Sequence, residues 1–447
     1  MKLADRDNQV IWHPFTPQKD LQNILPIIRG EGASLIDEEG NRYIDSISSW
    51  WVNLHGHSHP FIAEKLYQQA KKLAHIIFAD FTHEPAVCLA EQLIPLLPGQ
   101  FSRIFYSDNG STSTEVAIKM ALQYWWNKGE VGEISREQGD GRNTKRKTIK
   151  PRNRILAFTD SYHGDTFGAM SISERSVFTK AFEDKLFEVV FINTPDTDEV
   201  YTLPSIDWDS FACFIYEPLV QGAGGMKMYK AAGLNQILQQ CKEHSILCIA
   251  DEVMTGFGRT GKLFASEYCE TKPDIICLSK GLTGGTMALG VTACSQKIYE
   301  AFVSDDTLKT FFHGHSFTAN PIACTAALAS LELLQKEECK KSIQLIVEEN
   351  KKFLQRLASV NTMNDSASVK SILKNIRQTG TIVAFEISIG TDEYLNSVSN
   401  SITKKALEKG IFLRPLGNTV YTMPPYCITK EELEKTYSTI LEIIVNY

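Results

Sequence analysis

Seven short apolar runs rich in β-branched residues punctuate the middle of the chain, at 103–106, 154–159, 189–192, 212–216, 247–250, 275–278 and 290–293, with helical patterns between them. Runs this short, and apolar throughout rather than alternating, belong in strands buried on both faces. Strands that alternate with helices predict an α/β fold: a mostly parallel seven-stranded sheet covered by helices on both sides. At 447 residues the chain exceeds one simple core, so a smaller α+β domain is expected beside the large one. The expected division is an N-terminal segment over 1–55 that contributes to the small domain and the active site, a large domain over 56–330, and a C-terminal small domain over 331–447. Strand candidates in the last part are 382–387, 412–414 and 420–422, and a helical pattern from about Ile322 joins the two domains.

In open sheets of this kind ligands sit beyond the carboxyl ends of the strands. Asp108, Asp160, Glu217, Asp251 and Lys280 all fall at or just after predicted strand ends. Two of them stand out. Asp251 closes the run Ile246-Leu247-Cys248-Ile249-Ala250, and Lys280 follows Ile275-Ile276-Cys277-Leu278-Ser279. A carboxylate and an amine at the ends of buried strands are costly unless they are paired or meet a cofactor. Each also has a plain reading, Asp251 as a helix cap and Lys280 as a turn residue ahead of Gly281. Pyridoxal phosphate requires both: a lysine for its Schiff base and a carboxylate for its pyridine nitrogen.

Other segments fit that cofactor. Ser107-Asp108-Asn109-Gly110-Ser111-Thr112-Ser113 lies between a strand and a helix that Ser113/Thr114 can start. Backbone N–H groups there form an anion site, and the spacing is not that of a Walker loop. Tyr162, after the second strand, can stack on a planar ring or sit in an ordinary turn. Glu217-Pro218 can support the same site. Trp50-Trp51 is either core or the wall an apolar substrate needs, and Arg414 either forks onto a substrate carboxylate or is a surface charge.

A net charge of -7 argues against nucleic acid as the main partner. The longest basic stretch, 142–154, sits in a polar segment without aromatics, and 129–150 reads as an exposed insertion. No apolar run approaches the roughly 20 residues that span a bilayer. The charged N-terminus has no signal-peptide core. Ten scattered cysteines with no C-x-x-C pair read as reduced thiols of a cytoplasmic protein, with no disulfide frame and no metal site.

Taken together, the motifs resemble the class III (ω-amino acid) aminotransferases of fold type I over almost the whole chain. The run from Asp251 to Gly261 and Leu278-Ser279-Lys280-Gly281-Leu282-Thr283-Gly284-Gly285 carry most of that likeness. Trp12-His13-Pro14-Phe15-Thr16, Ser48-Ser49-Trp50-Trp51, the segment Tyr162 to Ser171, Gln221 to Met226 and Tyr421-Thr422-Met423-Pro424-Pro425-Tyr426 narrow it to members that aminate 8-amino-7-oxononanoate in biotin biosynthesis. The resemblance implies a homodimer with active sites at the subunit interface. It also implies a ping-pong exchange through the pyridoxamine form of the cofactor.

It further implies that Lys280 is the Schiff-base lysine, Asp251 the pyridinium partner, and Tyr162 the ring-stacking residue. Gly110 and Ser111 would bind the phosphate, and Gly314, His315 and Ser316 would reach the partner subunit's cofactor. Trp50, Trp51, Arg414 and Tyr421 would contact the oxononanoate. Phe15 stands where the S-adenosylmethionine-using pattern has tyrosine, and His315-Ser316 where it has Pro-Thr. Phe15 and Phe311-Phe312-His313-Gly314-His315-Ser316 resemble a subgroup that takes lysine as donor; Tyr421 and the paired tryptophans favour S-adenosylmethionine. A general ω-aminotransferase is the other alternative.

Overall fold

The computed structural model describes residues 2–19, 24–129, 152–195, 204–363, 373–388 and 397–446. Near the N-terminus lie β1 (Ile27–Glu31), β2 (Ser34–Asp37) and β3 (Arg42–Asp45). Next come β4 (Phe101–Ser107), β5 (Arg154–Phe158), β6 (Val190–Ile192), β7 (Phe211–Tyr216) and a short hairpin, β8 (Val220–Gln221) and β9 (Lys227–Met228). After them follow β10 (Leu247–Asp251), β11 (Ile275–Leu278) and β12 (Gly290–Ser295), then β13 (Leu373–Thr379), β14 (Ile382–Ile387), β15 (Ile411–Phe412) and β16 (Thr419–Thr422).

The seven predicted strands form one sheet in the order β4-β12-β11-β10-β7-β5-β6. Only β12 runs antiparallel to its neighbours in it. Alternate residues of each strand feed different packed clusters. Leu156, Phe158, Cys248, Ala250, Ile276 and Leu278 join one, while Ile155, Ala157, Leu247, Ile249, Ile275 and Cys277 join the other. This explains the unbroken apolar runs, because neither face meets water.

Two smaller sheets flank it. β1-β2-β3-β15 joins the two ends of the chain, with Ile411 and Phe412 pairing in parallel with Ile44 and Asp45. β13-β14-β16 is antiparallel. The sequence reading gave no strands at β1–β3, β8–β9 or β13. It also placed a strand end at Arg414, which lies beyond β15. The helix Gly110–Asn127 begins earlier than Ser113/Thr114 because Asn109 caps it: its Oδ1 accepts the Thr112 N–H at 3.0 Å. The insertion expected over 129–150 and most of the basic stretch 142–154 lie outside the described residues.

Candidate active site

Asp251 ends β10, and Lys280 follows β11 by two residues. The strands are parallel, with Asp251 level with Cys277, so both side chains emerge at the same edge of the sheet. There they line a cavity of about 330 Å³ together with Gly110, Ser111, Tyr162 and Glu217.

The ionisable groups hold one another in place. Asp251 Oδ2 lies 2.7 Å from His163 Nδ1, and Asp251 Oδ1 accepts the Val253 N–H at 3.1 Å. The His163 N–H donates to Ser173 Oγ at 2.8 Å, which fixes the loop carrying the ring. Glu217 accepts the Tyr162 N–H at 3.0 Å and the Gly222 N–H at 2.9 Å. Burial raises its carboxyl to about 7, with His163 opposing the rise and Asp251 adding to it. Burial lowers the Lys280 amine to about 8; the Asp251 and Glu217 carboxylates hold it up, and Arg259 pushes it further down. Lys280 also has φ +45°, a left-handed conformation that a non-glycine residue keeps only when its surroundings enforce it.

A helix N-terminus also lines the cavity. The first-turn N–H groups at Gly110 and Ser111 have no acceptor inside their own helix. A Cβ on Gly110 would lie 2.7 Å from Val253 Cγ1, and one on Gly164 would lie 2.2 Å from Ser111 Oγ. Both glycines therefore let the segments that line the cavity pack closely against one another. Tyr162 also lines the cavity, its hydroxyl donating to Asp165 Oδ2 at 2.9 Å. These features fit the cofactor expected from the sequence: free amide donors for a phosphate, a carboxylate for a pyridinium, and a weakly basic amine in the same cavity.

The remaining wall comes from the N-terminal segment. Ser48, Ser49, Trp50 and Trp51 have φ of +53°, +46°, +69° and +74°, a left-handed turn made without glycine. It closes through Trp51 N–H to Ile47 O at 2.9 Å and Val52 N–H to Ser48 O at 3.0 Å. Each such residue costs about 1–2 kcal/mol, so the turn survives only because its surroundings fix it. Ser48 Oγ donates to Met423 O at 2.7 Å. Arg259, fully buried, donates to Pro424 O at 2.9 Å, Trp51 O at 3.3 Å and Asn53 O at 2.9 Å.

Both tryptophans line the cavity. The Trp51 ring lies 4.4 Å from Lys280 Nζ. The Trp50 ring carries the Arg414 guanidinium at 4.7 Å and meets Phe15 edge-on at 5.4 Å. Phe15 in turn packs against Phe178 at 5.8 Å.

Tyr421 is not among the lining residues. It is buried and accepts the Trp51 indole N–H at 3.0 Å, so it reaches the cavity through Trp51. Gly314, His315 and Ser316 also lie away from the chain's own cavity, with His315 Nδ1 2.9 Å from Asp108 Oδ2. Sequence reasoning assigned no role to His163, Phe178 or Asp45. His163 could have been found, since it follows Tyr162 at a strand end. Asp45 could not, because nothing in Ser48-Ser49-Trp50-Trp51 announces a left-handed turn.

A family model described as Aminotransferase class-III matches residues 15–444. An adenosylmethionine-8-amino-7-oxononanoate aminotransferase from Synechococcus elongatus is 43% identical, covering 97% of this chain and 98% of its own. The crystal structure of an enzyme of the same name from Methanocaldococcus jannaschii is 33% identical, with a TM-score of 0.86 and 98% of each chain covered. An amine transaminase from an uncultivated Pseudomonas species, in a PLP-bound form, is 27% identical, with a TM-score of 0.83 and 98% of each chain covered.

Proposed function

The chain belongs to the class III aminotransferases, and on that premise we propose that it transfers an amino group from S-adenosylmethionine to 8-amino-7-oxononanoate, with pyridoxal 5'-phosphate as cofactor, to give the 7,8-diaminononanoate of biotin biosynthesis. The observation that carries the acceptor is the pairing of Arg414 with the tryptophan wall. Among the described residues its guanidinium contacts the Trp50 ring and no carboxylate, which supports a site for an apolar chain ending in an acid.

Pyridoxal phosphate, when bound, supplies the carbonyl that receives and passes on the amino group and a ring that withdraws the electron pair at the donor carbon. Lys280 Nζ, with its basicity reduced to about 8, suits a group that takes the donor Cα proton and returns it. Asp251, oriented by His163 and Val253, would hold a proton on the pyridine nitrogen. The amides of Gly110 and Ser111 would anchor the phosphate and Tyr162 would cover the ring, while Glu217 fixes the Tyr162 and Gly222 backbones. Trp50 and Trp51 exclude water along the acceptor chain.

Phe15 favours a second reading, with lysine as donor, since it offers the mouth of the cavity a ring without a hydroxyl. The deciding experiment mixes loaded enzyme with S-adenosylmethionine or with lysine, without acceptor, and follows the cofactor's visible absorbance. Loss of the band with S-adenosylmethionine alone is the expected result; loss with lysine alone overturns the donor. Adding 8-amino-7-oxononanoate should restore the band and release 7,8-diaminononanoate, and its failure to do so overturns the acceptor.

The reading extends to a cytoplasmic homodimer. All ten cysteines are free thiols, and among the described residues no helix is long and apolar enough to cross a membrane. Exposed Leu308, Phe312 and Phe317 flank Gly314, His315 and Ser316, which supports a loop that completes the partner's phosphate site. The same reading keeps the division into a segment over 1–55, a cofactor-binding body over 56–330 and a C-terminal unit over 331–447.

A further inference from the structure

Asp45 is fully buried at the end of β3, and no part of it reaches the cavity. Its carboxylate nonetheless accepts four hydrogen bonds. Oδ1 takes the Ser49 N–H at 2.9 Å and the Ile47 N–H at 3.3 Å; Oδ2 takes the Ser49 hydroxyl at 2.8 Å and lies 2.9 Å from His57 Nε2. Three of these four come from the left-handed turn or the residue that leads into it. Asp45 itself is fixed by its β15 neighbour, since Phe412 pairs with it and accepts the Ser46 N–H at 3.2 Å.

We infer that Asp45 is a positioning residue for acceptor recognition: by clamping Ser49 it holds the left-handed turn that aims Trp50 and Trp51 into the cavity and keeps Trp50 under Arg414. If the clamp is released, the turn relaxes toward right-handed or extended backbone, and both tryptophans leave the positions that the acceptor chain needs. This rests on the acceptor reading above. Wild-type turnover of 8-amino-7-oxononanoate checks that reading separately.

Asp45→Asn keeps the shape and removes one acceptor of the clamp. It should raise the acceptor KM about tenfold or more while kcat changes by less than about threefold. Two variants at Ser49 separate positioning from plain stabilisation. Ser49→Ala and Ser49→Gly both delete the hydroxyl bond to Asp45, but only glycine adopts φ near +46° without a Cβ penalty. Ser49→Ala should therefore raise the acceptor KM at least about twice as far as Ser49→Gly does.

Acrylamide quenching of tryptophan emission in the cofactor-free protein gives a readout that needs no turnover. It should rise in Asp45→Asn and Ser49→Ala, and the rise should vanish when Trp50 and Trp51 are both replaced by phenylalanine. Wild-type KM and wild-type quenching in Asp45→Asn and Ser49→Ala overturn the inference, as do equal shifts in the two Ser49 variants. If Asp45→Asn does not fold, the Ser49 pair decides.

Discussion

The two halves of the cavity are built on opposite principles. Asp251, Lys280 and Gly110 stand at or beside strand ends of the large sheet, where both faces are packed and neighbouring strands fix the register. Trp50 stands on a strained turn, Phe15 on an N-terminal segment, and Arg414, stacked on Trp50 but not itself lining the cavity, on a chain leaving a two-residue strand. Bonds between distant parts of the sequence hold the turn in place. Groups that carry out chemistry need fixed geometry, and a parallel sheet supplies it. On the proposed assignment, the groups that choose a substrate sit where sequence can vary without disturbing that sheet.

Substitutions should expose the contrast. The largest effect is expected for Lys280→Ala, which should abolish turnover and the visible absorbance of the loaded enzyme; normal turnover would remove the chemical half from its assigned place. Arg414→Ala should lose the charged hydrogen bonds to the acceptor and raise its KM by about 30- to 100-fold. It should leave the reaction with donor alone intact, so a loss in both half-reactions would erase the division.

A third expectation concerns pH. The Lys280 amine is lowered from 10.5 to about 8 in the fold. Between those values the unfolded chain holds the extra proton, so the Lys280 contribution to stability of the cofactor-free protein should increase as pH rises from about 8 to 10.5. Denaturation of wild type against Lys280→Met across that range measures it, and no difference in slope would refute it. Cofactor uptake should quicken through the same lower limit, because only the neutral amine reacts. The smallest effect is expected for Phe15→Tyr, which should shift the preference between S-adenosylmethionine and lysine by less than about tenfold.

Legibility in the sequence follows the same divide. Local composition reveals buried strands, so Asp251 and Lys280 could be located from their apolar runs alone, and Glu217 similarly. Arg414 and Trp50 could be singled out only as residue types, because their meeting at 4.7 Å depends on β15 returning to β3. The left-handed turn was invisible, since serine and tryptophan carry no preference for positive φ. Tyr421, expected to contact the acceptor, instead turns its hydroxyl to Trp51. Sequence offers no sign of which neighbour a tyrosine will serve.

The pairing of β15 with β3 has a consequence for the order in which a newly made molecule becomes competent. The large sheet is complete once Ser295 has been synthesised, and Lys280, Asp251 and the Gly110–Ser111 amides stand at or beside its strand ends. Residue 411 must emerge before β3, already paired with β2, gains its second neighbour, and 423–424 before the tryptophan turn is tethered. On the proposed roles, a growing chain acquires its cofactor pocket well before its selectivity, and only the nearly finished polypeptide recognises its acceptor.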